Sequence, residues 1–391
     1  YNDGTIFKVK SDGTNFAKLF DFAGPKNGST PRSPLTKAGN SIYGMTFNGG
    51  LNNNGTIFKI SPQTRGYTKI LDFAAYTGAG YPIGAMCADS IFLYGATYGG
   101  GTEGMGTIFK TRHDGTGYTT LVSFNGAANG SYPYGYLIMV DSFLYGMTYA
   151  GGISDDGTIF KVKKDGTGFA KLHNFAGASN GKNPIGGLVF NGTYLFGMTY
   201  YGGATDNGTL FKILPNGTGF SKLVDFGGMV DGRNPEGSLI MDSAFLYAVT
   251  NYGGSFNRGV IFKIRHDGTQ LNNLYNFGGL GSGSIPVGSL LDYDGNFYGV
   301  TSYGGANDKG TLYKIMRDGT GFVKLFDFNG ITSGRNPTGS LIIDSAFLYG
   351  TTYGGGSADI GTVFKFKECA PSAGVDIQYA CNSFKWMDSI V

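Results

Sequence analysis

Three histidines, a few carboxylate clusters and a recurring set of aromatic rings are the side chains of this sequence that could do chemistry. His113 and His266 each stand just before Asp-Gly, where sister segments carry Lys164 or Arg317, and so read as exposed turn residues. His173 falls where its counterparts are Phe20, Leu71, Val122, Val224, Tyr275 and Phe326, which predicts a half-buried, hydrogen-bonded ring. No His-x-x-x-His pair, nucleophile elbow or phosphate loop occurs, so no hydrolytic constellation is expected. Asp155-Asp156, Asp206-Asn207, Asn307-Asp308 and Asp359 form oxygen-rich loops of the kind that hold calcium. Their spacing is not that of a dedicated calcium loop, and turn capping accounts for them more simply. Calcium therefore stays a secondary option, and no other cofactor or metal is expected.

The aromatic set is the stronger candidate. Phe47, Tyr98, Tyr149, Tyr200 and Tyr353 occupy equivalent places beside a glycine-rich loop, with Tyr201, Tyr252 and Tyr303 one position further on. Tyrosine combines a flat apolar surface with a polar tip, which suits stacking on sugar rings or on a protein partner. The alternative is that each ring only clamps its own loop. If several are exposed, weak repeated sites gain from multivalent engagement. A second, more polar surface is offered by loops such as Gly232-Arg233-Asn234 and Gly334-Arg335-Asn336.

These residues recur because the chain does. Gly4-Thr5-Ile6-Phe7-Lys8 opens a phrase that returns at Gly55, Gly106, Gly157, Gly208, Gly259, Gly310 and Gly361, always 51 residues on. A proline (Pro31 to Pro337), a Tyr/Phe-Gly step, a double glycine and a strand ending in phenylalanine (Phe22 to Phe328) keep the same interval. Each unit reads as four short apolar runs separated by turns such as Asp-Gly, with no helical period. Four strands in a fixed-length repeat describe one blade of a β-propeller, so the fold class is all-β. A β-solenoid is the rival architecture, but its rungs are usually shorter and lack such hairpins. The glycine two residues after the proline (Gly84 to Gly339, with Ser33 the exception) suits crowding at a central axis.

Blade number follows from counting. Most landmarks occur seven times, whereas the Gly-Thr strand occurs eight times. That favours eight blades, the last completed by Val375 to Ala380. The alternative is seven, closed by pairing residues 4 to 22 with the strands after Pro337, which leaves the last Gly-Thr strand spare. Residues 1–368 form the array and 369–391 a tail that leads to a further domain.

Whole-chain numbers agree. The 70 glycines come with 41% hydrophobic and 15% aromatic residues, which excludes a disordered glycine-rich linker. Interspersed charges and a net +3 argue against a nucleic-acid groove. No run approaches the roughly 18 apolar residues of a membrane helix. The chain starts inside a repeat, without a signal peptide, so the natural protein is expected to begin earlier. Cys369 and Cys381 would close a loop of about 13 residues, worth about 3 kcal/mol, if they pair; two free thiols are the alternative. Cys87, in an apolar run, reads as a small buried hydrophobe. Asn-Gly-Ser/Thr at Asn27, Asn54, Asn129, Asn191, Asn207 and Asn216 matches a glycosylation pattern but equally suits turns.

The unit Leu-Tyr-Gly-Met-Thr, Tyr-Gly-Gly, Gly-Thr-Ile-Phe-Lys, Asp-Gly-Thr-Gly-Phe resembles the GloVer tandem repeat of bacterial surface or secreted choice-of-anchor proteins, from residue 4 to about 367. The resemblance implies export and surface anchoring and no defined activity. The segment Cys381-Asn382-Ser383-Phe384-Lys385-Trp386 resembles a Cys-Asn-Ser-aromatic-x-Trp stretch of Bacteroidetes-type secreted proteins, which implies type IX secretion. Together these give an extracellular or cell-surface, non-enzymatic binding, adhesion or scaffold module, with glycan or protein partners and a place in a larger surface assembly. The alternative function is a glycan-active lyase or hydrolase on a propeller scaffold. An enzyme would gather dissimilar polar residues from several blades around the axis, whereas a scaffold would repeat one residue in every blade.

Overall fold

The computed structural model describes residues 5–8, 17–22, 24–64, 66–74, 79–330, 332–344, 347–355 and 362–366. Its strands form seven sheets, antiparallel apart from one parallel pair in the seventh, arranged as the blades of a propeller. A typical blade, the fourth, runs from an innermost strand Val189–Phe190 through Leu195–Thr199 and Thr209–Ile213 to an outermost strand Ser221–Asp225. Seven hydrophobic clusters hold the ring, and each one lies between two neighbouring blades. At six of the seven junctions the phenylalanine that ends one unit meets the ring of the next Gly-Thr strand edge-on, as Phe73 does with Phe109 at 5.4 Å and Phe175 with Phe211 at 5.3 Å.

The repeated phrase has a physical reason. Gly106 has φ +97°, and a Cβ there would lie 2.6 Å from Cδ of Pro133, so glycine and the next unit's proline form one interblade contact. The threonine that follows is buried, and its hydroxyl bonds the threonine of the neighbouring strand: Thr97 with Thr107 at 2.8 Å, Thr148 with Thr158 at 2.9 Å. Pro133 pairs with Thr148 on the innermost, edge strand, where a missing N–H leaves no ladder bond unmade. The axial glycines are as crowded as expected, since a Cβ on Gly84 would stand 2.5 Å from the Gly135 carbonyl oxygen.

The ring has seven blades, which corrects the expectation of eight. The Gly-Thr strand Thr362–Phe366 takes its regular place beside Phe347–Gly354. The first copy, Thr5–Lys8, then adds to the same sheet in parallel, Thr5 opposite Thr362, and brings Ala17–Asp21 as the outermost strand. The first copy therefore widens the seventh blade instead of founding another, and the last Gly-Thr strand is not spare. Cys369, Cys381 and Val375 to Ala380 lie outside the described residues. Cys87 is half-buried and unpaired, its thiol pushed up to about 12 by burial.

Candidate functional site: an axial cup ringed by aromatic side chains

The residue after each proline reaches the axis at one end of the propeller. Arg32, Tyr134, Glu236 and Thr338 come from the first, third, fifth and seventh blades, with Ile83 and Ile185 between them, and they line a cavity of about 160 Å³. Val287, the seventh member, turns instead into the core between the sixth and seventh blades. One layer down, the Tyr136 hydroxyl reaches across to Ser340 Oγ at 2.9 Å. Beside it the Gly187, Ser238 and Ser289 amides donate in turn to Ser238, Ser289 and Ser340 Oγ. These bonds make a floor, so the cavity is a cup.

Five of the aromatic residues expected from the sequence lie against the residues of this cup. Phe47 and Tyr353, from adjacent blades, sandwich the Arg32 guanidinium at 4.8 and 4.7 Å. Tyr98 and Tyr149 flank Tyr134 at 6.4 and 6.1 Å. Tyr200 lies near enough to Glu236 for the carboxylate to add to the burial that holds its phenol above the usual range. Tyr201 and Tyr252 carry Lys182 and Arg233 over their rings, at 5.8 and 5.3 Å. Tyr201, Tyr303 and Tyr353 are exposed at 37, 46 and 39%, while Phe47, Tyr98, Tyr149, Tyr200 and Tyr252 are half-buried.

Two members of the set are polar. Asn251 donates through Nδ2 to Glu236 Oε2, and Ser302 Oγ donates to the Pro337 carbonyl at 2.9 Å. Burial raises the Glu236 carboxyl above the ordinary range, and the Asn251 bond opposes that rise. Burial, then Glu236, pushes Tyr134 up to about 12 while Arg32 pulls it down, so one phenol senses both charges. Arg32 Nε, Thr338 Oγ1 and Asn251 Oδ1 are buried without a hydrogen-bond partner.

Sequence reasoning named the aromatic set as candidates and did not single out Arg32, Tyr134, Glu236, Thr338 or Asn251. The signal was present: between an invariant proline and a near-invariant glycine, one column swings from cation to anion. The carboxylate loops behave as turn caps, Asp155, Asp206 and Asp308 each accepting the amide of the first loop glycine at 2.7 to 2.8 Å. Among the described residues no group of His, Cys, Asp or Glu could hold a metal ion. His113 and His266 are half-buried over Tyr43 and Phe196, at 5.5 and 5.4 Å, where exposed turn residues were expected.

The Gloeobacter/Verrucomicrobia repeat matches residues 1–139, 92–292 and 267–380. The chain belongs to that repeat family. No curated protein matches this family member. Among solved structures it is similar to the extracellular domain of a hybrid two-component system from B. thetaiotaomicron, at 14% identity and TM-score 0.59, over 96% of this chain and 44% of that one. It is also similar to a GH74 xyloglucanase from Xanthomonas campestris, at 16% identity and TM-score 0.59, over 90% of this chain and 54% of that one. This repeat protein spans about half the length of those two chains, and the likeness is one of fold. Among the described residues no helix is long and apolar enough to cross a membrane.

Proposed function

We propose that this repeat protein is an exported, non-enzymatic binding module of the cell surface, working alone or within a larger surface assembly. It engages glycan or protein ligands on the face that carries the axial cup. The observation behind this is convergence: six of the seven blades bring an aromatic side chain or Asn251 against the residues that line one cavity. Rings with polar tips around a recess suit sugar faces and protein side chains alike. Export agrees with the bacterial repeat family and with a fold shared with an extracellular domain. The test is a screen of immobilised polysaccharides and cell-surface extracts with the wild type and the Tyr98→Ala, Tyr200→Ala, Tyr353→Ala triple variant. Binding should fall by about ten-fold or more, as expected for losing aromatic anchors. A folded triple variant that keeps all binding would remove the aromatic rim from the proposal.

One observation favours the enzymatic alternative: Arg32, Tyr134 and Glu236 are dissimilar polar residues gathered from three blades around the axis. Glycoside hydrolysis draws on two carboxyl groups roughly 5 to 9.5 Å apart, and Glu236 is the one carboxylate lining the cup among the described residues. Release of reducing ends or unsaturated products by the wild type, abolished in Glu236→Gln, would establish the enzyme in place of the binding module.

A further inference from the structure

Resting on the proposed binding function, we infer that the axial cup takes a small carboxylate ligand whose far end offers hydrogen-bond donors. Arg32 receives the carboxylate, and Glu236 receives the donors.

Arg32 is placed for this task. Its guanidinium is held flat between Phe47 and Tyr353, which fixes the plane and leaves the edge to bind. Its Nε is buried without a partner, and among the described residues no carboxylate forms an ion pair with it. A planar fork so oriented matches a carboxylate through two parallel bonds. Glu236 stands four blades further round a ring of seven, on nearly the opposite side of the axis. Asn251 fixes one of its oxygens, and among the described residues no hydrogen bond occupies the other. Cation and anion face the same cavity without neutralising each other, so a ligand that bridges them satisfies both.

Size and charge narrow the class. A cavity of about 160 Å³ is close to the ~150 Å³ that holds a benzene-sized group, and so has room for one six-membered ring. One guanidinium balances one negative charge, and Glu236 repels a second, which disfavours phosphate or sulfate dianions. Tyr134 and Tyr353 supply flat walls for the ligand's body. Two sources share this chemistry: an acidic sugar, with hydroxyls toward Glu236, and an α-amino acid, with its ammonium there.

The experiment is calorimetric titration of the full chain with glucuronate, galacturonate and L-glutamate, with glucose, galactose and inorganic phosphate as comparisons. Wild type is expected to bind at least one carboxylate and none of the comparisons. Arg32→Met should weaken that binding by about 10- to 100-fold, the range for a charge-assisted bond. Arg32→Lys, which keeps the charge and loses the fork, should also weaken it; Glu236→Gln should weaken an amino acid more than a sugar acid. Absence of carboxylate binding by the wild type, which needs no variant to fold, overturns the inference. So does equal binding of glucose and glucuronate, or an Arg32→Met variant of unchanged affinity. If the cup takes no carboxylate while the polysaccharide or extract screen still depends on the tyrosines, this inference falls and the binding module stands.

Discussion

Asn180 fixes the protonation state of His173. Its Oδ1 accepts the Ala176 amide at 2.6 Å, so its Nδ2 donates to His173 Nε2 at 3.1 Å, and that nitrogen must be unprotonated. The ring also stacks on Phe220 at 3.7 Å, and burial lowers its pKa to about 4. The folded value lies below the unfolded value of about 6.5, so the unfolded chain takes up the proton first. Stability should be unaffected above that pH, fall as pH drops from 6.5 towards 4, and level off below. Because the ring is partly solvated, the loss is about 1–2 kcal/mol. His173→Phe, the residue found at Phe20 and Phe326, should abolish that slope. Melting temperatures of both proteins between pH 7 and pH 4 would check this, and parallel curves would refute it. The half-buried setting was legible because six sister positions are apolar or aromatic. Glu236 was not, because its column repeats no residue type, and only geometry shows that column meeting at the axis.

Each junction between blades contains one residue in the left-handed region, just before the proline: Thr30, Tyr81, Tyr132, Asn183, Asn234, Ile285 and Asn336, with φ between 51° and 58°. Asparagine tolerates this backbone, and its side chain earns its place by reaching the previous blade. Asn183, Asn234 and Asn336 donate to the carbonyls of Tyr149, Tyr200 and Ser302 at 2.9 to 3.0 Å. In place of that bond Tyr81 meets Phe47 at a tilt, at 5.3 Å, and Tyr132 stacks on Tyr98, at 4.7 Å. Asn234→Ala should therefore cost about 2–3 kcal/mol, a lost hydrogen bond plus left-handed strain. Asn234→Gly should cost less, since glycine relieves the strain, and denaturant melts of the two variants would show the order. Equal losses would mean that the backbone stores no strain there. The proline was readable as a strand marker, but nothing in Tyr81 or Ile285 announces a positive φ, which the tertiary joint imposes.

At the scale of the molecule, closure is the central fact. Phe22 of the last-completed blade meets Phe58 of the first at 5.3 Å, the same edge-on contact that Phe175 makes with Phe211 inside the ring. Both side chains are 1% exposed. Phe22→Ala and Phe175→Ala should then destabilise equally, by about 3–5 kcal/mol. A much smaller loss for Phe22→Ala in a chemical melt would show that the seam is loose in solution. The repeat length disclosed the propeller because every blade must present the same two faces to its neighbours. It misled on number because a strand pattern cannot tell a hairpin partner from a parallel addition. That parallel pairing has a mechanical corollary. Thr5 begins at the cup's end of the seventh blade and Phe366 finishes at the far end, on adjacent strands running the same way. A tether on one and a load on the other would drag the two strands past each other in shear, stressing their rungs together instead of unzipping them one by one.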